Sequence, residues 1–347
     1  MRLADRPWLL LCGGLALACS PAPVDEPTTA GLVVDTLASP RDLPSQGLAG
    51  GTVLPGGRLA LADVIANTVW MVRPDGGPPE PVGSRTPGVG QLAQPIGVAA
   101  FGDTIAVVSA GTATVEFFSS AGAPLGSIAL APDLLATPFE LLPSGLALVT
   151  TYGQDSALVT LRRLDGDRVA RFGVGLPSAN ETVDPAAVLR EIREGKVPEP
   201  FQNMAMPVGA PTGDVWLVRH TEGVFQRHGP DGTVRATAEL AAEEVAPIRA
   251  EFFRANDAPG QPGAIVAYVI AYSGVADSAG SWFLLAQPAN RSAVLLRIAN
   301  DGTQAERLVV AESRGARLLL RDVQRDIFYL VNQEDGVIVR VRRPGAQ

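Results

Sequence analysis

The feature that most restricts the fold is a repeated unit of four short β segments. Residues 50–83, GGTVLPGGRLALADVIANTVWMVRPDGGPPEPVG, read strand, turn, strand, turn, strand, Asp-Gly turn, strand. Thr52-Val53-Leu54 is short and β-prone, Pro55-Gly56-Gly57 reverses the chain, and Arg58 to Asp63 alternates into a second strand. Thr68 to Arg73 alternates again, and Pro74-Asp75-Gly76-Gly77 closes a hairpin in which glycine supplies the positive φ such turns need. The same grammar returns over 94–130, 138–173, 207–238 and a longer 263–310, with turns at Gly102-Asp103, Asp165-Gly166, Asp231-Gly232 and Asp301-Gly302. A further copy over 315–343 has three clear strands and then stops.

A unit of this kind cannot bury its own apolar faces and must stack on its neighbours. Five full units and one short of a strand leave an open edge, and open edges invite unwanted pairing. The lone β segment GLVVDTL, residues 31–37, is the natural donor of the missing strand. The expected architecture is therefore all-β over 31–347: a six-bladed β-propeller whose N-terminal strand closes the last blade. The competing arrangement, a β-sandwich or two smaller β domains, does not explain why the turns fall at matching places. Two stretches break the pattern. DPAAVLREIREGKVPEP (184–200) and AELAAEEVAPIRAEFFRAND (238–257) carry helix punctuation, with Gly195 as a stop in the first and an interruption or kink expected at Pro247 in the second. Both flank the fourth unit. Insertions of this type emerge at a face, where loops carry function, and Phe201, Phe252 and Phe253 are the residues expected to pack them down over the channel mouth.

The units also resemble NHL-repeat propellers. The likeness rests on residues 57–77 and 89–122, where Pro95-Ile96-Gly97-Val98-Ala99, Asp63, Asn67 and Asp75-Gly76 fill the family's slots. Ser109 stands in the second unit where the first has Asp63.

The first thirty residues carry an address. Arg2 and Arg6 precede an apolar run from Trp8 to Ala18, too short to span a bilayer, which takes about 20 residues. Ala16-Leu17-Ala18-Cys19 resembles a bacterial lipobox, so residues 1–18 are expected to be a signal peptide and Cys19 the lipidation site. Cys12 would be discarded with the signal, leaving no disulfide and no cysteine-rich metal site. In the Gram-negative lipoproteins that this segment resembles, Asp after the cysteine favours the inner membrane, so the resemblance implies for Ser20 the outer membrane, facing the periplasm. Residues 19–30 are Pro-rich and polar, the composition of a flexible tether. The expected partners are the membrane, through the lipid, and another envelope protein.

Charge narrows the field further. The formal net charge is −8, and −9 once residues 1–18, with two arginines and one aspartate, are removed. Neutralising phosphates requires clustered cations, so nucleic-acid binding is not expected. The two histidines, His220 and His228, flank one predicted hairpin, and no third exists to complete a three-histidine zinc site. A mixed site with Glu222 is the remaining histidine option. Six-bladed lactonases resembling gluconolactonase hold a divalent cation in the central channel with Glu, Asn and Asp from different blades. That resemblance would make Asp63, Glu140 and Asn203 the ligand candidates, for calcium by preference. No Ser-His-Asp set and no Gly-rich phosphate loop appears. Polar residues expected near the channel as binding candidates are Arg41, Asp63, Tyr152, Arg219 and His220. The first function expected is a non-enzymatic, lipid-anchored binding scaffold without a cofactor; the alternative is the metal-dependent hydrolase.

Overall fold

The computed structural model describes residues 32–39, 43, 47–83, 88, 90–131, 134, 139–142, 146–150, 156–176, 185–257, 267–287, 292–311, 313, 315–333 and 335–343. These form six four-stranded antiparallel sheets arranged as a ring, a six-bladed β-propeller. After the strand β1 (Val33–Ala38), blade 1 comprises β2 (Leu48–Val53), β3 (Leu59–Asp63), β4 (Thr68–Val72) and β5 (Glu80–Val82). Blade 2 comprises β6 (Pro95–Phe101), β7 (Thr104–Ser109), β8 (Thr114–Ser119) and β9 (Pro124–Ala129); blade 3 comprises β10 (Phe139–Leu141), β11 (Leu146–Thr150), β12 (Ala157–Arg163) and β13 (Arg168–Val174). Blade 4 comprises β14 (Ala205–Gly209), β15 (Val215–Arg219), β16 (Val224–His228) and β17 (Val234–Glu239); blade 5 comprises β18 (Ala271–Asp277), β19 (Gly280–Leu285), β20 (Ala293–Ala299) and β21 (Gln304–Val310). Blade 6 comprises β22 (Leu318–Asp322), β23 (Ile327–Val331), β24 (Ile338–Arg342) and β1.

The closure expected from the sequence is present: β1 pairs antiparallel with β24, Val33 opposite Arg342 and Ala38 opposite Ile338. Arg340 reinforces the clasp across the strands. Its Nε donates to Asp35 Oδ1 at 3.0 Å, and the contact holds the Asp35 carboxyl below its ordinary range. The arginine-rich composition also serves the next seam. Arg321 of blade 6 pairs with Asp277 of blade 5, Arg343 pairs with Glu306, and the Arg343 guanidinium lies 5.2 Å from the Trp282 ring. Arginine suits such a place because its planar head stacks on an aromatic face while still donating hydrogen bonds.

The middle strands are apolar on both faces because each blade is sandwiched between two others. Leu59–Asp63, Gly280–Leu285 and Ile327–Val331 are buried along their whole length, and each buried Leu, Val or Phe contributes about 1.5–3 kcal/mol. The inner strands of blades 1 and 2 approach closely near Gly50. A Cβ at Gly50 would stand 3.3 Å from the Ile96 carbonyl oxygen of blade 2. A β-bulge recurs where the third and fourth strands meet in blades 2 to 5, at Phe117/Phe118, Leu161/Arg162, Arg227/His228 and Arg297/Ile298. It bends each outer strand at the same level beside the outer turn.

The ring has two unlike faces. The Asp-Gly hairpins lie on one, the turn face. The other, the helix face, carries the links from each outer strand to the next inner strand, and these hold the insertions. α1 (Pro185–Arg193) and α2 (Glu199–Gln202) precede blade 4, and α3 (Ala242–Asp257) follows it. Gly195 ends α1 as expected: its N–H bonds to Ile192 O and that of Lys196 to Glu191 O, a Schellman closure with φ 73° at the glycine. α3 begins four residues later than expected, because Ala238 and Glu239 are the end of β17. It then runs on through Pro247, where the sequence suggested an interruption. Pro247 lies early in the helix, so the bond its missing N–H costs falls in the first turns. Glu244 of α3 pairs with Arg307 on blade 5, while Val188, Ile192, Ile248 and Phe252 are buried against blades 4 and 5.

Candidate functional site

Each expected metal ligand is committed elsewhere. Asp63 ends β3 and is fully buried. Its Oδ1 accepts the N–H groups of Ile65 at 3.0 Å and Ala66 at 2.8 Å, and its Oδ2 accepts Trp70 Nε1–H at 3.0 Å. It therefore shapes its own turn. Asn203, also buried, uses both ends of its amide on one residue, accepting from Leu176 N–H and donating to Leu176 O, each at 2.8 Å. Glu140 accepts the Gly209 N–H at 3.2 Å, and burial pushes its carboxyl up to about 7. Asn203 lies before the start of β14 and Gly209 at its end, a strand span of roughly 13 Å. A cation ligated at about 2.3–2.6 Å cannot be shared by Glu140 and Asn203 over that distance. The trio expected to converge does not, and no cluster of three or more His, Cys, Asp or Glu suited to a metal occurs among the described residues. The residues present do not fit the channel cation that the lactonase resemblance implied.

The histidines do not form a pair either. His228 lies opposite Val215 at the turn-face end of the β15–β16 hairpin, and His220 follows Arg219 at the other end. His228 Nδ1–H donates to Gly232 O at 3.1 Å, and burial lowers the ring's pKa. Glu222, the carboxylate proposed to join them, is taken by Arg219. Arg41, Tyr152 and Cys19 lie outside the described residues.

His220 has a role that its position in sequence did not announce. It is 4% exposed, and its Nδ1 accepts the N–H of Ile270 at 3.2 Å, just before the inner strand of blade 5. Accepting at Nδ1 requires the neutral ring, and desolvation lowers the pKa to about 4. Blade 1 makes the same stitch with a different side chain: Asn67 Oδ1 accepts the Gln94 N–H at 2.6 Å, just before the inner strand of blade 2. His220 is thus a cross-blade fastener, as Asn67 is. The two occupy different places in the turn: Asn67 is its last residue and His220 its first.

Among the described residues, a cavity with polar groups in its wall lies on the helix face near His220. Phe252 of α3 touches Phe201 of α2 at 5.8 Å, Phe253 at 5.1 Å and Tyr268 at 5.3 Å between ring centroids. The three phenylalanines expected to hold the insertions down do meet. Beside this cluster, between α3 and the ends of blades 5 and 6, lies a cavity of about 210 Å³. Its apolar wall includes Ile248, Phe252, Leu285 and Ala316, and Tyr272, Gln287, Glu251 and Arg317 bring polar atoms to it. Tyr268, 1% exposed, forms part of the wall, and its hydroxyl has no hydrogen-bond partner. Burial raises its pKa, so the phenol keeps its proton. The charges are engaged: Glu251 with Arg254 Nε at 2.7 Å, and Arg317 over the Tyr272 ring at 5.7 Å. A second depression of about 400 Å³ adjoins it through Ser313 and Ala316. No single stretch of sequence signals this cavity, because its wall is drawn from α3, from residues 267–272 and 285–287, and from Ala293, Ser313 and residues 315–317.

No family model matches the chain, and no curated protein matches it in sequence. Solved structures resemble it in shape. A streptogramin B lyase aligns with TM-score 0.52 at 15% identity, over 92% of this chain and 100% of that one. A luciferin-regenerating enzyme aligns with TM-score 0.52 at 10% identity, over 91% and 97%, and a putative gluconolactonase with TM-score 0.50 at 13% identity, over 93% and 97%. Likeness at these identities establishes the architecture and carries no chemistry: the chain is a six-bladed β-propeller of the shape shared by gluconolactonase-like and streptogramin-lyase-like structures.

Proposed function

We propose that this protein is a lipid-tethered binding propeller of the bacterial envelope, built on NHL-like repeats, that takes a small ligand on its helix face. The observation that carries the reading is the cavity of about 210 Å³ under α3, where Tyr272, Gln287, Glu251 and Arg317 bring polar atoms to an apolar wall. Concave, mostly apolar sites with a few polar groups are the usual form of small-molecule pockets. The tether rests on the sequence Ala16-Leu17-Ala18-Cys19 and on the Pro-rich stretch that follows it. A lipidated Cys19 on an outer-membrane protein would place the ring in the periplasm, where another envelope protein is the natural second partner.

Two experiments test this. The first screens the detergent-solubilised full chain by thermal shift against amines, carboxylates, sugars and neutral aromatics, alongside Ala255→Leu, which fills the cavity from α3. A class that raises the melting temperature of the wild type and not of the filled variant supports the site; no such class defeats it. The second follows labelled palmitate, expected in the wild-type protein and lost in Cys19→Ser.

The metal-dependent hydrolase is the weaker reading for this chain. The enzyme names belong to the structural neighbours, and Asp63, Glu140 and Asn203 are bound into separate local contacts.

A further inference from the structure

The six outer strands differ in how they guard the edges they leave open. We infer that β9, the outer strand of blade 2, is an interface at which a second copy of this chain pairs antiparallel, β9 against β9, joining two blades into one sheet. The inference concerns a different surface from the ligand reading above and does not depend on it.

A strand at a sheet edge is a template for pairing, and proteins blunt such edges with charges, prolines or bulges. Asp35 on β1, Glu80 on β5, Arg171 on β13, Arg235 on β17 and Arg307 on β21 put a charge on each of the other five outer strands. β9 carries none, and no charged residue lies between Glu116 and Asp133. Five of its six residues are exposed, among them Leu125 at 59% and Ile128 at 42%. Pro124 and the bulge opposite Phe117/Phe118 guard only its first two residues. The Leu130 N–H bonds to Ala113 O at 2.8 Å, so by antiparallel alternation the N–H groups of Ser127 and Ala129 point away from β8 to the open edge.

Charge selects the occupant. A charged strand laid here would give up water and meet no counter-ion, so the strand that fits is itself uncharged. Among this chain's six outer strands β9 alone meets that condition, and an antiparallel pair about a two-fold axis needs no second surface. The axis stands perpendicular to the joined sheet, so Ile128 and its copy project from the same side and lie within cross-strand reach. The pairing inverts one ring relative to the other. Residues 19–32 reach about 45 Å when extended, more than the ~20 Å length of β9, so two tethered copies can meet in this way.

The test is sedimentation velocity of the full chain in density-matched detergent, at protein concentrations up to about 1 mM. The expected result is a reversible monomer–dimer equilibrium, of the weak class that a small seam supports. Ile128→Lys and Ile128→Glu, both at an exposed position, should each weaken the dimer about tenfold, because like charges then meet across the seam. Mixing the two variants should restore it, which a misfolded protein would not do. Val169→Lys, the corresponding exposed change on β13, should leave the equilibrium as it is. A monomer at every concentration overturns the inference and leaves this edge to a strand of another protein. A dimer that persists in both Ile128 variants, that mixing them fails to restore, or that Val169→Lys disrupts overturns it as well.

Discussion

Blades 1 and 2 and blades 4 and 5 make the same repeat do different work at the helix face. In blade 1 the corner after the second strand is short and self-sufficient. Asp63 fixes its own turn, and Asn67 reaches across to the Gln94 N–H at a largely exposed position. In blade 2 Ser109 takes the corner and bonds both Ala93 N–H and Ala93 O. In blades 4 and 5 the same fastening passes to His220, and it is buried beneath helices. A fastener in water can be replaced by water, and one under a helical cover cannot. The lesson is that the insertions convert an ordinary propeller corner into an interior, and an interior can hold a cavity.

The largest test of this difference is Phe252→Ala. Truncating a buried aromatic ring costs about 3–5 kcal/mol, and here the ring links α2, α3 and Tyr268. Hydrogen exchange should show protection lost in α1, α3 and blade 5 and kept in blades 1 and 2. Uniform loss around the ring would mean that the helix face is not a separable cover.

Next in size is His220→Leu, which strands the Ile270 N–H in the interior. The expected loss is about 1–3 kcal/mol by denaturant unfolding. Asn67→Ala, the matching change at an exposed corner, should cost less, because water can take over the bond to Gln94 N–H. Equal losses would erase the contrast between the two corners.

Acid sharpens it further. His220 stays neutral in the fold down to about 4, whereas the unfolded imidazole gains its proton near 6.5. Between those values the unfolded chain holds more protons, so this histidine makes stability rise with pH. Glu140 acts in the opposite sense. The fold keeps its proton up to about 7 and the unfolded carboxyl loses it near 4.5, so its contribution falls as pH rises through that window. Each slope should amount to no more than ~3 kcal/mol overall. His220→Leu should make stability rise less, and Glu140→Gln should make it rise more, as pH goes from 4.5 to 6.5, with His228 adding to the rise in both variants, as read from unfolding midpoints. The smallest effect is expected from Tyr268→Phe. Removing an unpartnered buried hydroxyl should leave the melting temperature unchanged or slightly higher; a clear drop would point to a partner for that oxygen.

The ring itself was legible because its signals are local. Period-two alternation, Asp-Gly hairpins and a unit short of one strand are all visible within a few residues, and β1 pairing with β24 follows from counting. The site was not legible in the same way. A polar residue at a strand end reads alike whether it faces the axis or caps its own turn, which is why Asp63 and Asn203 looked like ligands. His220 and Ile270 are fifty residues apart, and the choice between metal ligand and backbone acceptor is decided only when both are placed. The start of α3 was misjudged at Ala238 and Glu239 because small and acidic residues there suit a helix start as well as an exposed outer strand.

The direction of β1 has a consequence for how the molecule stands. Val33 enters opposite Arg342, at the level of the Asp-Gly hairpins, and the strand then climbs toward Ala38 at the level of the helices. Anything that grips the chain ahead of Val33 therefore grips it from beneath. The helix face, with the cavity under α3, lies on the opposite side of the ring from the point where the chain enters.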